Sequence, residues 1–144
     1  MIETIALSDG TVVPRLGQGT WDMGRRNRWE SDKAALRLGI ELGMSLVDTA
    51  EMYGAAEDLV GEVVAPNHKD IFLVSKVSPQ NASRKGVMQA CERSLKRLQT
   101  DHLDLYLLHW PSSYPTADTV EAFEELKRAG KILRWGVSNF DLDE

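Results

Sequence analysis

The sequence of 144 residues predicts an α/β fold in which parallel strands alternate with helices. Two observations predict it. Short apolar segments recur about every 30 residues, each followed by an amphipathic stretch of helical length. The segments are apolar throughout, as in strands buried on both faces of a sheet. The residues that mark the five predicted strands are Leu16, Leu46, Phe72, Leu105 and Leu133.

Composition limits the kinds of partner and environment. Hydrophobic residues make up 42% and charged residues 27%, and the net charge is −5, which argues against a nucleic-acid or acidic-membrane partner. No apolar run approaches the roughly 20 residues of a membrane span, and the first residues do not resemble a signal peptide. Cys91 is the single cysteine, so no internal disulfide can form. A cytoplasmic protein is expected.

The chain is predicted to open with a β-hairpin. Residues 4–7 and 11–13 are its arms, and Asp9-Gly10 is typical of a tight turn between them. Pro14 is expected to stop the second arm, because proline has no N–H for strand pairing.

The repeating units follow the hairpin. The predicted strands are residues 15–19, 45–47, 71–75, 103–108 and 132–137. The helices after the first are predicted over residues 57–64, 83–98 and 117–128. Pro66 is expected to stop the helix over residues 57–64. The helix over residues 83–98 is predicted to bury Val87, Ala90, Cys91, Leu95 and Leu98.

The first helix is expected to begin at a cap formed by Ser31 or Asp32 and to end at Gly43. Its predicted apolar side consists of Ala35, Leu36, Leu38, Ile40 and Leu42.

Two architectures are built from such units, the doubly wound open sheet and the (β/α)8 barrel. Gly17-Gln18-Gly19 is half of a dinucleotide-binding fingerprint, but Asp22 occupies the third glycine position. An arginine-rich loop follows where that fingerprint needs an immediate helix. The dinucleotide-binding interpretation of this segment therefore fails.

Polar and aromatic residues follow the predicted strands. The first strand leads into Thr20 and Trp21, and the second into Asp48 with Tyr53 five residues on. The later strands end in Lys76, in His109 with Trp110, and in Ser138 with Asn139. Because the carboxyl ends of parallel strands share one face, these side chains are expected to form an active site there.

An Asp, a Tyr, a Lys and a His at one face suggest proton transfer. Tyrosine is the natural acid, but its ordinary pKa is about 10. A nearby Lys cation would lower that pKa, an Asp would anchor the Lys, and a His could orient a substrate oxygen.

Each residue also has a structural interpretation when taken singly. Asp48 could cap a turn, Tyr53 could pack its ring, Lys76 could be solvated and His109 could be a hydrogen-bonded structural histidine. The shared position at the strand ends weakens these interpretations jointly. Residues 25–28 (RRNR) could grip a phosphate, although a solvated loop is favoured.

No metal is expected. His68, His102 and His109 are interpreted as too scattered along the sequence for a zinc cluster, and the single cysteine adds no second thiolate.

Five segments in order resemble the successive signatures of the aldo-keto reductases. They are residues 16–21 (LGQGTW), 48–54 (DTAEMYG), 74–76 (VSK), 104–110 (DLYLLHW) and 135–139 (WGVSN). The segments around Tyr53, Lys76 and His109 look most similar to those of bacterial members that reduce small aldehydes and α-dicarbonyls such as methylglyoxal.

The resemblance implies a (β/α)8 barrel, of which this chain supplies a hairpin, about strands one to five and helices one to four. It implies that Tyr53 is the general acid of an NADPH-dependent carbonyl reductase, that Lys76 depresses the pKa of Tyr53, and that Asp48 holds Lys76. His109 would orient the carbonyl. The implied cofactor contacts are Thr20, Asp48, Ser138 and Asn139, and the implied substrate walls are Trp21 and Trp110, for which core packing is the alternative.

A full member would continue for well over a hundred residues, so residues 1–144 are expected to be the N-terminal part of one barrel domain. A fragment of a longer protein is favoured over a half-barrel that self-associates through its open edge. Two further hypotheses are a catalytically inactive cofactor-sensing subunit and a half-barrel interaction module. The physiological carbonyl stays open.

Overall fold

The computed structural model describes residues 2–142. The predicted domain range of 1–144 also includes Met1, Asp143 and Glu144, which lie outside the described residues. The predicted hairpin is present as the antiparallel strands β1 (Thr4–Ala6) and β2 (Val12–Pro14). The Asp9 carboxylate accepts a hydrogen bond from the Thr11 backbone N–H at 2.9 Å, and Gly10 has a φ of 85°, so both residues make the predicted turn.

Five parallel strands form the main sheet in the order β3-β4-β5-β6-β7, which is also their order along the chain. They are β3 (Gln18–Gly19), β4 (Leu46–Asp48), β5 (Phe72–Val77), β6 (Leu105–Leu108) and β7 (Trp135–Val137). A doubly wound sheet reverses its strand order at a switch point, whereas a barrel wall adds strands sequentially. The order therefore confirms the barrel architecture.

Four α-helices connect the strands. They are α1 (Trp29–Glu41), α2 (Ala56–Val64), α3 (Arg84–Leu98) and α4 (Thr116–Arg128), with short 3-10 turns at Arg26–Arg28, Ala65–Asp70 and Pro79–Asn81. Ser83 caps α3 by accepting a hydrogen bond from the Gly86 N–H at 3.1 Å. The five apolar residues predicted for the buried side of α3 are all buried.

The predicted start of α1 is wrong. The helix begins at Trp29, before both proposed caps. The Ser31 hydroxyl donates backwards to the Arg28 carbonyl at 2.9 Å, and the Asp32 carboxylate accepts from the Gly24 N–H at 3.0 Å. Both side chains are therefore used by the turn that precedes the helix.

The predicted apolar side of α1 is also wrong in part. Leu36 is buried, but Leu38 is 55% exposed and Leu42 is 62% exposed. Leu38 lies about 200° around the helix from Leu36, so the two cannot share a face. The helix meets the sheet at Gly39 instead, where a Cβ would lie 1.9 Å from Gln18 Oε1.

A buried polar network links α2, α3 and the sheet. Glu57 is fully buried; its carboxylate accepts from Arg97 Nε at 2.7 Å and from the Ser75 hydroxyl at 2.6 Å. The apolar core surrounds this network. Across residues 2–142, none of the helices has both the length and the apolar character that crossing a membrane requires.

Candidate active site

The structure brings the predicted strand-end residues to one edge of the sheet. Thr20 follows β3, Asp48 is the last residue of β4, and Lys76 is the penultimate residue of β5. His109 follows β6, and Ser138 follows β7. Parallel register aligns these positions, so the carboxyl ends of five neighbouring strands contribute to the same face.

Lys76 is the centre of the cluster. Its ammonium lies 2.7 Å from Asp48 Oδ1, 3.1 Å from the Thr49 carbonyl oxygen and 3.5 Å from the Tyr53 hydroxyl oxygen. The side chain is buried. An ammonium has three donors, and here each has an acceptor, so no donor of this buried group is left unsatisfied.

Tyr53 reaches this cation from the loop between β4 and α2. Its N–H donates to the Ala50 carbonyl at 3.1 Å, and Gly54 after it has a φ of 60°, a backbone conformation that glycine adopts readily. The Tyr53 ring meets the His109 ring edge to face, with centroids 5.5 Å apart. The Tyr53 residue is half-buried, and its hydroxyl oxygen lies towards Lys76.

His109 is buried, and its Nδ1 has no hydrogen-bond partner within residues 2–142. Its backbone is fixed by two bonds, from its own N–H to the Val77 carbonyl at 3.0 Å and from Asn139 Nδ2 to its carbonyl at 2.9 Å. Burial lowers the pKa of His109, the charge of Lys76 lowers it further, and Asp48 opposes both. The imidazole is therefore neutral near pH 7.

We expect the pKa of His109 to lie below its ordinary value of 6.5, and to move back towards that value in Lys76→Met, because one of its two causes is removed. Imidazole NMR signals followed against pH measure both values. Since the pKa is lowered, the neutral form persists to a lower pH than in a free histidine. A wild-type midpoint at or above 6.5 would contradict the geometry.

The proposed cofactor contacts differ in accessibility. Thr20 is fully buried, and both its N–H and its hydroxyl donate to the Asp48 carbonyl at 3.0 Å. Thr20 therefore supports the backbone of Asp48, and its direct contact with a cofactor stays a prediction. Ser138 is half-buried and Asn139 is exposed. Their side chains hydrogen-bond to each other at 3.0 Å beside His109.

The two tryptophans are exposed. Trp21 is 77% exposed and Trp110 is 48% exposed within this chain. The Trp110 ring stacks on His109 with centroids 6.3 Å apart, and Trp21 lines a cleft together with Met52 and Tyr53. Both apolar surfaces therefore flank the cluster, as substrate walls would.

Sequence reasoning missed Glu51. Its carboxylate oxygen Oε1 accepts from the Ser78 N–H at 2.7 Å and from Asn81 Nδ2 at 2.8 Å. Glu51 thus ties the loop that carries Tyr53 to the loop after β5, next to Lys76. An acid two residues before Tyr53 was visible in the sequence, but its partners are about 30 residues away.

The arginine-rich loop supports the solvated interpretation. Arg25 and Arg28 both form ion pairs with Asp22, and all three side chains are exposed. These guanidinium groups already have an acid partner, so nothing in the geometry favours a phosphate grip.

The interpretation that all the histidines are scattered is wrong for two of them. The rings of His68 and His102 lie 4.6 Å apart between centroids, and Asp104 lies beside them. They sit before β5 and β6, at the sheet edge opposite to His109. A span of 34 positions separates the two histidines in sequence, which hid their proximity.

Comparisons with known proteins identify relatives of this chain. The chain is 53% identical over 140 residues to methylglyoxal reductase YeaE of Escherichia coli, covering 95% of this chain and 49% of that protein. It is 37% identical over 144 residues to glyoxal reductase of Bacillus subtilis, covering 97% and 50%. This chain therefore spans about half the length of the curated relatives it matches.

Solved structures of known proteins also superpose on this chain. The aldo/keto reductase of Klebsiella pneumoniae in complex with NADP and acetate superposes with a TM-score of 0.94 at 46% identity, covering 99% of this chain and 52% of that one. The thermostable aldo-keto reductase Tm1743, bound to the inhibitor epalrestat, gives 0.95 at 38% identity, covering 99% and 56%. Residues 15–144 also match the model of the Aldo/keto reductase family. The chain belongs to the aldo/keto reductase family.

Proposed function

We propose that this chain supplies the proton-transfer residues of an NADPH-dependent reductase that converts small aldehydes and ketones to alcohols. The observation that carries the proposal is the buried Lys76 ammonium, which lies between Asp48 Oδ1 at 2.7 Å and the Tyr53 hydroxyl at 3.5 Å. When bound, NADPH supplies the hydride for this reaction. The side chains of this chain supply the proton and its electrostatic support.

Tyr53 is the proposed general acid, which donates its hydroxyl proton to the carbonyl oxygen of the substrate. Loss of this proton converts Tyr53 to a phenolate, and the Lys76 ammonium next to the phenolate oxygen stabilises its negative charge. Asp48 keeps the ammonium in place through a 2.7 Å ion pair. Because the three groups are held before substrate arrives, little reorganisation is needed during proton transfer.

His109 is proposed to orient the carbonyl. Its lowered pKa keeps the imidazole neutral, and a neutral ring can donate one hydrogen bond without adding a second full charge beside Lys76. The ring lies against Tyr53, so a carbonyl oxygen between them would contact both groups. Trp21 and Trp110 would provide apolar walls.

The proposed cofactor is NADPH. Ser138 and Asn139 offer a hydroxyl and an amide at the edge of the site, and these groups suit the donor and acceptor atoms of a nicotinamide carboxamide. Both are accessible from solvent. Thr20 and Asp48 complete the proposed contacts. NADP is bound in the Klebsiella pneumoniae relative, and NADPH in a second structure from that organism.

The proposed substrates are small α-dicarbonyls such as methylglyoxal. Two relatives, a methylglyoxal reductase and a glyoxal reductase, support this choice of substrate. The Trp21 cleft beside Tyr53 is compatible with a small, partly apolar aldehyde. We further infer that residues 1–144 form the N-terminal part of a single barrel domain.

The test is an assay of NADPH absorbance with methylglyoxal. This chain is assayed alone and fused to the carboxyl-terminal half of its Escherichia coli relative. Turnover by the fusion that disappears in its Tyr53→Phe variant is the expected result. NADPH binding without turnover in a folded fusion would contradict the enzymatic proposal and favour a cofactor-sensing subunit.

A further inference from the structure

We propose that His68, His102 and Asp104 form a binding site for one divalent cation of the zinc class. One ligand atom from each of these residues lies within 4.8 Å of the others. The site is independent of the proposed reductase function.

The three residues meet at the amino-terminal edge of the sheet. His68 belongs to the 3-10 turn Ala65–Asp70 that leads into β5. His102 and Asp104 lie in the segment between α3 and β6. The Lys76 cluster occupies the carboxyl-terminal ends of the same strands, so the two sites are separated by the length of the sheet.

His68 has a nitrogen available for a ligand. Its Nε2 is buried and has no hydrogen-bond partner among residues 2–142. Buried polar atoms are normally partnered, and an exception often marks an ion or water that belongs at the site. The His102 ring meets the His68 ring edge to face, at an interplanar angle of 84°. The ring that carries the orphaned nitrogen therefore lies next to a second imidazole.

His102 has a carboxylate partner at one of its ring nitrogens. Its Nδ1 lies 2.7 Å from Asp101 Oδ1. When Nδ1 carries the proton and donates it to this carboxylate, Nε2 presents its lone pair. A carboxylate behind the imidazole fixes the ring and raises its basicity in established metal sites.

Asp104 supplies the negative charge. Its Oδ2 accepts a hydrogen bond from the Leu73 N–H at 2.8 Å, which holds the half-buried carboxylate in place. Arg134 contacts the Asp104 backbone oxygen at 3.4 Å. Its guanidinium also pairs with Asp9 at 2.5 Å, so its charge is balanced.

The ligand set selects the kind of ion. Two imidazoles and one carboxylate suit Zn²⁺, Co²⁺ or Ni²⁺, whereas Mg²⁺ and Ca²⁺ prefer oxygen ligands throughout. Zinc bonds of about 2.0–2.2 Å put tetrahedral ligands roughly 3.4 Å apart. Small side-chain rotations would bring the three atoms to that spacing, and water would take the fourth position. The ion would tie the turn before β5 to the segment before β6.

The test uses the tag-free full chain, stripped of metal with a chelator and titrated with Zn²⁺ by calorimetry. We expect one ion per chain. Asp101→Asn should weaken binding about 10–100-fold, as loss of an outer hydrogen-bond partner does, and His68→Gln or His102→Gln should weaken it further. His109→Gln is the matched control, because it removes a histidine at the opposite edge and should leave zinc affinity unchanged.

Wild-type spectra provide a test that does not depend on the folding of variants. Zn²⁺ should shift the imidazole NMR signals of His68 and His102 and leave those of His109 in place. Bound Co²⁺ should give visible absorption typical of nitrogen ligands. Absence of zinc binding, or zinc binding that survives the combined His68→Gln and His102→Gln substitutions, would overturn the proposal and leave an imidazole pair without an ion.

Discussion

Replacing Tyr53 with phenylalanine is expected to lower kcat for methylglyoxal reduction by about 10²–10⁴-fold, the usual contribution of a general acid. The substitution removes the hydroxyl that lies 3.5 Å from the Lys76 ammonium, while the ring can keep its edge-to-face contact with His109. The proton for the carbonyl oxygen must then come from water. NADPH affinity should change little, and fluorescence titration measures it separately from turnover.

Tyr114→Phe is the matched control. Tyr114 is exposed and precedes α4. Its backbone N–H donates to the Ser112 hydroxyl at 3.2 Å, and the substitution preserves this hydrogen bond. The kcat of the Tyr114→Phe variant should equal that of the unsubstituted protein. Equal kcat values for Tyr53→Phe and Tyr114→Phe would remove Tyr53 from the chemistry.

Arg97→Ala is expected to lower the free energy of unfolding by about 3–5 kcal/mol, the usual cost of removing one partner from a buried ion pair. The fully buried Glu57 carboxylate would keep only its 2.6 Å hydrogen bond from Ser75. The substitution also removes the stem of Arg97, which lies at the contact between α2 and α3. Urea denaturation followed by circular dichroism measures the loss.

Arg84→Ala provides the comparison on the same helix. Arg84 pairs with Glu121 at 3.6 Å and with Glu125 at 2.9 Å, and all three side chains are exposed. The loss of Arg84 should cost far less stability than the loss of Arg97, because solvent screens exposed pairs. Similar losses in the free energy of unfolding for Arg84→Ala and Arg97→Ala would mean that the burial of Glu57 does not increase the cost of removing its partner.

The positions of the main elements and of the Lys76 cluster could be predicted from the sequence. Apolar strands followed by amphipathic helices determine a parallel sheet, and parallel strands bring their carboxyl ends to one face. Asp48, Lys76 and His109 follow from that rule, because each sits at or near a strand end. The α3 face was predictable as well, since its apolar residues share one side of the helix.

Contacts between distant segments could not be predicted. The orientation of α1 depends on Gly39, whose missing side chain admits Gln18 from β3. Burial of Glu57 depends on Arg97, 40 positions later, and neither residue reveals the other in sequence. The proximity of His68 and His102 likewise results from the meeting of two turns that precede neighbouring strands.

The claim that Lys76 acts through Tyr53 is tested most directly by the kcat of the Tyr53→Phe/Lys76→Met double variant. Groups that work as one unit lose their effect together, so the double variant should be about as slow as the slower single variant. The same fusion protein and NADPH assay serve for all three variants. A double variant slowed by the product of the two single effects would show independent roles and contradict a shared proton-transfer site.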